Sequence, residues 1–304
     1  MSVPSNKPSV LYKYMSAKRR TFFKDRLIRF TQPRALNDPF EMRPHIIGFG
    51  TPAEMLEIAV NRWELFVEDQ YQQYVSKQAD SGPVKSFKSF RAELEPLRQQ
   101  EIMAALHRAP EYTPLMIEHI DKMINLNVGV LSLCERPDIG LMWSHYADSH
   151  YGFLIEFDTG APFFNQIRPP SHLKLGVDDE VAFAQEYGRL RAIDYQEIRP
   201  SVNVTEMTFE ILLTKGKDWQ YEKEWRMLMP PEYADVTRKD PKGLPLYLFE
   251  IPPSAIKAIL LGCNADPELV FEALAFREVS ENKIRVEKGV VDERHFRINF
   301  EAVI

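Results

Sequence analysis

The stretch Trp219–Leu228, WQYEKEWRML, sets Glu222 and Glu224 two residues apart between two tryptophans, with Lys223 and Arg226 beside them. In an extended strand, residues two apart point to the same side. If the chain is extended there, both carboxylates project together, and Lys223 and Trp225 project the other way. Like charges on one face repel, so at least one carboxyl should have a raised pKa unless a cation or ligand neutralises the pair. Perturbed pairs of this kind mark functional sites more often than inert structure. The competing account is structural: Arg226 or Lys223 closes an ordinary ion-pair network with the two glutamates.

Three further stretches mix polar and aromatic residues. In Phe30–Glu41, FTQPRALNDPFE, Asn37 and Asp38 can close an Asx-turn and Pro39 fixes the chain beyond it. That is a rigid surface turn or the frame of a site. In Met142–Phe157, MWSHYADSHYGFLIEF, Trp143, Tyr146 and His150 share a helix face. They read as a platform for a planar ligand, or as the packing side of the helix. Lys18, Arg19, Arg20, Lys24 and Arg26 form a basic cluster that could meet phosphates or a nucleic acid, or line a solvated face.

Several chemistries lack their residues. The sequence has no glycine-rich phosphate loop, no G-x-S-x-G, no H-E-x-x-H and no cysteine–histidine cluster at metal spacing. His145 and His150, five apart, suit two ligands on one helix poorly, so no metal is expected. Cys134 and Cys263 are the only cysteines, which excludes a disulfide framework and a four-cysteine zinc site.

The elements that must position these residues come from a chain of 304 residues, 44% hydrophobic and 12% aromatic, enough for a large core. The formal charge of −6 carries no global nucleic-acid signature. The opening MSVPSNKPSV lacks the apolar run of a secretory signal, and no segment approaches the roughly 18 apolar residues of a membrane span. A soluble, cytoplasmic protein is expected, with no membrane partner.

Strands are expected at Val10–Tyr14, Leu27–Thr31, Val128–Cys134, Phe153–Phe157, Leu190–Tyr195, Arg226–Met229, Leu246–Ile251 and Ala258–Leu261, with one or two more from Lys283 to Ile304. Helical spacing covers Ala17–Asp25, Gly140–His150 (stopped by Gly152), Val204–Lys215 and Pro267–Phe276. Residues 51–126 differ. Thr51-Pro52 with Glu54 reads as a capping box, followed by a stripe of Leu56, Val60, Trp63, Val67, Tyr71 and Tyr74. A break near Ala79–Pro83 precedes a second helical pattern from Phe87 to Leu106, and Thr113-Pro114 opens a third. The expected fold is α+β: a mixed or antiparallel central sheet with flanking helices, built from 1–50 and 127–304. Residues 51–126 form a helical insertion expected to cover or flank the cleft and to supply no catalytic group.

Leu11–Tyr14 (LYKY), Asn37–Glu41 (NDPFE), Trp143–Asp148 (WSHYAD) with Gly152, and Tyr221–Arg226 (YEKEWR) stand in the order seen in a bacterial family. Over roughly residues 10 to 265 the chain resembles the domain of unknown function 2971 family. The Glu-x-Glu leading into a strand also looks like the terminal motif of ADP-ribosyltransferases. That resemblance implies NAD as co-substrate. Lys13 would meet the NAD phosphate or ribose, in place of the usual arginine or histidine. Ser132 would lie on the middle strand, where Leu131–Cys134 stands for the usual Ser-Thr-Ser. Tyr146 or Trp143 would stack on nicotinamide, with Tyr14, Asn37, Asp38 and Arg226 among the nucleotide contacts. Glu224 would stabilise the ribosyl cation, and Glu222 would orient or deprotonate an acceptor, here unknown. A toxin or phage-defence effector would suit such chemistry.

Two other readings compete. Asp38, Glu41, Glu222 and Glu224 could hold Mg²⁺ in a phosphodiesterase or nuclease, with Lys223 and the 18–26 cluster on phosphate. Alternatively, the aromatics bind a nucleotide or partner without catalysis. In each case residues 11–14, 37–41, 143–148 and 222–226 are expected around one concave pocket.

Overall fold

A computed structural model describes residues 7–78, 82–165, 187–280 and 283–303. The first six residues and part of the expected break, 79–81, lie outside the described residues. The chain divides into two compact units, one of Met1–Arg43, Met123–Arg199 and Phe209–Ile304, the other of Pro44–Lys122 and Pro200–Thr208.

In chain order the strands are β1 (Val10–Met15), β2 (Leu27–Phe30), β3 (His45–Gly48), β4 (Gly129–Cys134), β5 (Phe153–Asp158), β6 (Leu190–Ala192), β7 (Asp194–Gln196), β8 (Ser201–Asn203), β9 (Thr214–Gly216), β10 (Glu224–Met229), β11 (Val236–Lys239), β12 (Pro245–Glu250), β13 (Ile256–Leu261), β14 (Arg285–Val291) and β15 (Ile298–Ala302). The α-helices are α1 (Phe22–Asp25), α2 (Pro52–Gln78), α3 (Phe87–Leu94), α4 (Arg98–Asn127), α5 (Gly140–Tyr146) and α6 (Pro267–Val279).

An eight-stranded sheet in the order β15-β14-β13-β5-β1-β4-β10-β6 organises the first unit. Its pairs are antiparallel except β13 with β14, so the sheet is mixed and the fold class is α+β. Strand alternation divides the apolar residues between two faces. Leu11, Phe153, Ile155, Phe157, Ile259 and Leu261 face a core shared with Phe22 and Phe23 of α1 and with Leu269, Ala273 and Phe276 of α6. Tyr14, Cys134, Leu154, Ala258 and Leu260 face the other way, against Met142, Trp143 and Ala147 on and just after α5.

Several local expectations change. Ser16 accepts from the Lys18 amide, but it opens only a 3₁₀ turn over Ala17–Arg19 before α1. After α5 the chain is stopped by three consecutive left-handed residues, Asp148, Ser149 and His150, and not by Gly152. Gly152 serves a close approach: a Cβ there would lie 2.1 Å from the Met15 carbonyl oxygen. Leu190–Tyr195 is divided between β6 and β7. Val204–Lys215 is not one helix: 3₁₀ turns at Val204–Glu206 and Phe209–Leu213 lead into β9.

The second unit is mainly helical, with a two-stranded parallel pair of β3 and β8. The capping box forms: the Thr51 amide donates to Glu54 Oε2 at 2.7 Å, and the Glu54 amide donates to Thr51 Oγ1 at 3.3 Å. Ala59, Trp63 and Val67 of α2 pack with Ile102 of α4, while Tyr71 and Tyr74 meet Phe90 of α3. Leu56, expected in that stripe, is exposed. Pro110 and Pro114 lie inside α4, so Thr113-Pro114 does not begin a separate helix. Each proline removes one backbone donor without ending the helix. Among the described residues, no helix is long and apolar enough to cross a membrane.

Candidate functional site

Strands β1 and β4 share a single register pair, Tyr12 with Cys134. Consecutive residues of both strands, Tyr12–Tyr14 and Ser132–Cys134, line one cavity of about 280 Å³. Alternating side chains of an intact sheet would be divided between its two faces. With one register pair joining them, the two strands are only briefly paired beside the cavity. Glu224 faces Cys134 across β4 and β10. Leu36, Asn37 and Glu41 arrive from the loop after β2, and Met142 and Tyr146 from α5. Lys215, Glu222 and Glu224 complete the wall.

The glutamates do not reach the cavity along an extended strand. Glu222 ends a 3₁₀ segment, Lys217–Glu222, and Lys223 is left-handed at φ 45° and ψ 54°. Glu224 then begins β10. The carboxylates still converge, because the turn at Lys223 redirects the chain and a cation stands between them. Lys215 Nζ donates to Glu222 Oε2 at 2.6 Å and to Glu224 Oε2 at 2.9 Å, and lies 3.6 Å from Glu41. Arg226 grips Glu224 with Nε at 2.7 Å and Nη2 at 3.1 Å, pairs with Glu41 and donates to the Leu212 carbonyl. All five charged side chains are buried. An ion-pair network therefore exists, but Lys215 is its centre. Lys223 is half exposed and lies 4.0 Å from Glu135.

Burial lifts the Glu224 carboxyl above its ordinary value, against the pull of Lys215 and a hydrogen bond from Ser132. Burial alone would lower Lys215, yet the charges of Glu224 and Glu222 outweigh it and hold the ammonium above its usual value. Arg226 is pulled down to about 9 by burial, so it remains charged at neutral pH. The Cys134 thiol is pushed up to about 12, again by burial, which leaves it a poor nucleophile.

Lys13 differs from the other cations. Its Nζ donates to the Ser132 carbonyl at 2.9 Å, and among the described residues it has no carboxylate ion pair. Burial lowers its pKa. A lysine has three N–H donors, so Lys13 keeps hydrogen-bonding capacity for an anion. Across the cavity, Tyr146 Oη donates to Glu222 Oε1 at 2.7 Å and accepts from Asn37 Nδ2 at 3.1 Å.

Of the residues expected at the site, Lys13, Tyr14, Asn37, Ser132, Tyr146, Glu222 and Glu224 meet at this cavity. Three do not line it. Trp143 is fully buried, edge-on to Tyr14 and parallel to His150, with its indole N–H on the Pro137 carbonyl. It has no free face for nicotinamide. Asp38 is buried and closes the expected Asx-turn onto the Phe40 amide at 2.9 Å. Arg226 holds Glu224 from behind the cavity wall. Sequence reasoning missed Lys215, which lay in a segment read as a helix. It also missed Tyr195, whose hydroxyl accepts from the Glu224 amide at 2.8 Å.

The basic cluster is largely engaged. Arg20 pairs with Asp266 and Glu268, Arg26 with Glu250, and Arg19 donates to the Leu27 carbonyl. Among the described residues, no group of three His, Cys, Asp or Glu side chains could hold a metal ion.

Residues 142–227 match the model of a protein family of unknown function, DUF2971. The DUF2971 match runs from α5 to β10 and includes Tyr146, Lys215, Glu222, Glu224 and Arg226. Lys13, Asn37, Glu41 and Ser132 lie outside it, so it is narrower than the resemblance over residues 10 to 265. No curated protein and no solved structure matches the chain significantly.

Proposed function

We propose that the cavity takes a nucleotide-type small molecule and breaks the nicotinamide–ribose bond of NAD, as an ADP-ribosyltransferase does. The observation that carries this reading is the opposition of Lys13, a cation with donors to spare, to the carboxylates Glu222 and Glu224 within one cavity. A phosphate or ribose oxygen suits Lys13. Nicotinamide departs with the bonding electron pair, leaving an oxocarbenium-like sugar, and a nearby carboxylate lowers the barrier by stabilising that charge. Glu224 has this role, Glu222 takes the acceptor's proton, and Tyr146 offers a ring to the nicotinamide. The bacterial toxin or phage-defence setting and the cytoplasm belong to the same proposal.

A second reading rests on a specific observation. Both Glu224 oxygens are already engaged by Lys215 and Arg226, which suits a cavity that binds a nucleotide without cleaving it. The Mg²⁺-dependent nuclease reading has less support, because Asp38 is outside the cavity and the glutamates are taken up by cations. Incubation with NAD, scored for nicotinamide release, together with melting curves in NAD and in Mg²⁺ separately, tests the proposal. Release with NAD stabilisation supports it. NAD stabilisation without release favours the binding module, and stabilisation by Mg²⁺ alone would sink both.

A further inference from the structure

We propose that the cavity between α2 and α4 of the helical unit is a second ligand site, built for a nucleoside monophosphate whose base carries an exocyclic amine. The inference is independent of the reading of the sheet cavity.

Ala59, Arg62, Trp63 and Phe66 recur at three and four along α2 and share one face. Ile102, Ala105, Arg108 and Tyr112 do the same along α4. Packed helices ordinarily fill the space between them to crystal-like density. Here the facing positions hold alanines, Ala59, Ala104 and Ala105, and a cavity of about 240 Å³ remains.

One buried polar atom beside this gap lacks a partner among the described residues. Trp63 is only 3% exposed, and its indole Nε1 has no hydrogen-bond acceptor. A buried donor left so is costly and uncommon in native structures. Arg62, Glu101 and Arg108 are solvent-exposed at the rim and make no ion pair among the described residues. A buried indole donor beside an unfilled cavity rimmed by two arginines is poorly explained by packing alone.

Each group matches part of one ligand. Guanidinium forks bind phosphate oxygens in pairs. A monophosphate carries about −1.5 to −2 charge at neutral pH, which two arginines balance. The exposed rings of Phe66 and Tyr112 offer surfaces to a planar base, Phe66 being backed by Trp63 at 5.7 Å. Glu101 is an acceptor for an exocyclic amine, and the base or ribose supplies an oxygen or nitrogen for the Trp63 N–H.

Titration calorimetry with adenosine monophosphate, and with inosine monophosphate, which lacks the amine, tests the site. Wild type should bind the adenine nucleotide, and the inosine form about tenfold more weakly if Glu101 reads the amine. Ala105→Leu fills the cavity with a good helix former and should abolish binding. Arg108→Gln should weaken it about tenfold or more through loss of a charged phosphate contact. The binding that Ala105→Leu removes should persist in Lys13→Met, which alters only the sheet cavity. If melting curves show that Ala105→Leu is unfolded, the double variant Arg62→Gln/Arg108→Gln decides instead. Full binding by the folded Ala105→Leu, or no binding by wild type at millimolar nucleotide, overturns the proposal. Loss in Lys13→Met with retention in Ala105→Leu would assign the nucleotide to the sheet cavity, overturning this inference while leaving the proposed function standing.

Discussion

Lys215 and Glu224 form a buried ion pair, 2.9 Å from Nζ to Oε2, although one lies in the middle of β9, the other begins β10, and a 3₁₀ segment separates the strands. The same ammonium holds Glu222 at 2.6 Å. Two carboxylates can therefore share a buried wall of the cavity without an external cation. Desolvating so many charges is costly and is offset only if every member finds its partners. The arrangement is consequently sensitive to loss of its centre.

Lys215→Met should destabilise the fold by about 3–5 kcal/mol, because it leaves buried carboxylates uncompensated. Protonation of a carboxyl relieves that charge, so the loss should be smaller near pH 5 than near pH 8. Denaturant titrations at both values give the comparison. An equal loss at both would mean that the glutamates carry no excess charge in the variant.

Glu224→Gln tests the direction of the Glu224 shift. Its folded pKa is raised by burial, so the stability it contributes is full below the unfolded value, about 4.3, and is lost as pH rises through the folded value. The advantage of wild type over Glu224→Gln should shrink between about pH 4 and the folded pKa. A margin that widens over this range would show that Lys215 and Arg226 outweigh burial.

If Glu224 stabilises a ribosyl cation, Glu224→Gln should lower nicotinamide release on the order of 10²–10³-fold, the usual effect of losing one such electrostatic contact. NAD affinity should change far less, because the ground-state sugar carries no comparable charge. Single-turnover release and equilibrium binding separate the two. A variant with wild-type turnover would remove Glu224 from the chemistry.

Tyr146→Phe deletes the hydroxyl that donates to Glu222 and accepts from Asn37. A hydrogen bond to a charged group is worth about 1.5–3 kcal/mol, and thermal unfolding should register a loss of that order. The aromatic ring remains, so ligand affinity should fall less than in Tyr146→Ala. Equal affinities in the two variants would mean that the ring contributes no contact.

Gly152→Ala probes the close approach behind the sheet. The added Cβ would lie 2.1 Å from the Met15 carbonyl oxygen, with Ala147 backbone at 3.0 Å. Backbone cannot yield as a flexible side chain can. Overpacking typically costs about 1–3 kcal/mol, occasionally more, and this contact belongs at the upper end. Wild-type melting would show that α5 and β1 are free to separate.

The α+β class, most strand cores and the capping box before α2 were legible in the sequence because each rests on local chemistry. β-branched and aromatic residues alternate along a strand, and Thr51 and Glu54 need only their own turn. The four mixed stretches were legible too, since charge beside aromatic side chains is conspicuous wherever the chain leads. What they become was decided by tertiary structure. Tyr146 and Trp143 lie on one short helix, yet the sheet beneath buries Trp143 completely and leaves Tyr146 at the cavity. Glu222 and Glu224 meet through a left-handed Lys223, a conformation that lysine does not announce. Lys215 was hidden in a segment whose apolar spacing suggested a helix. That spacing instead reflects Leu212 and Leu213 of a single 3₁₀ segment entering a core with Val128, Val130 and Leu228. Periodicity reports which residues leave water. Which cation stands between two buried carboxylates depends on contacts between segments far apart in the chain, and no local pattern encodes those.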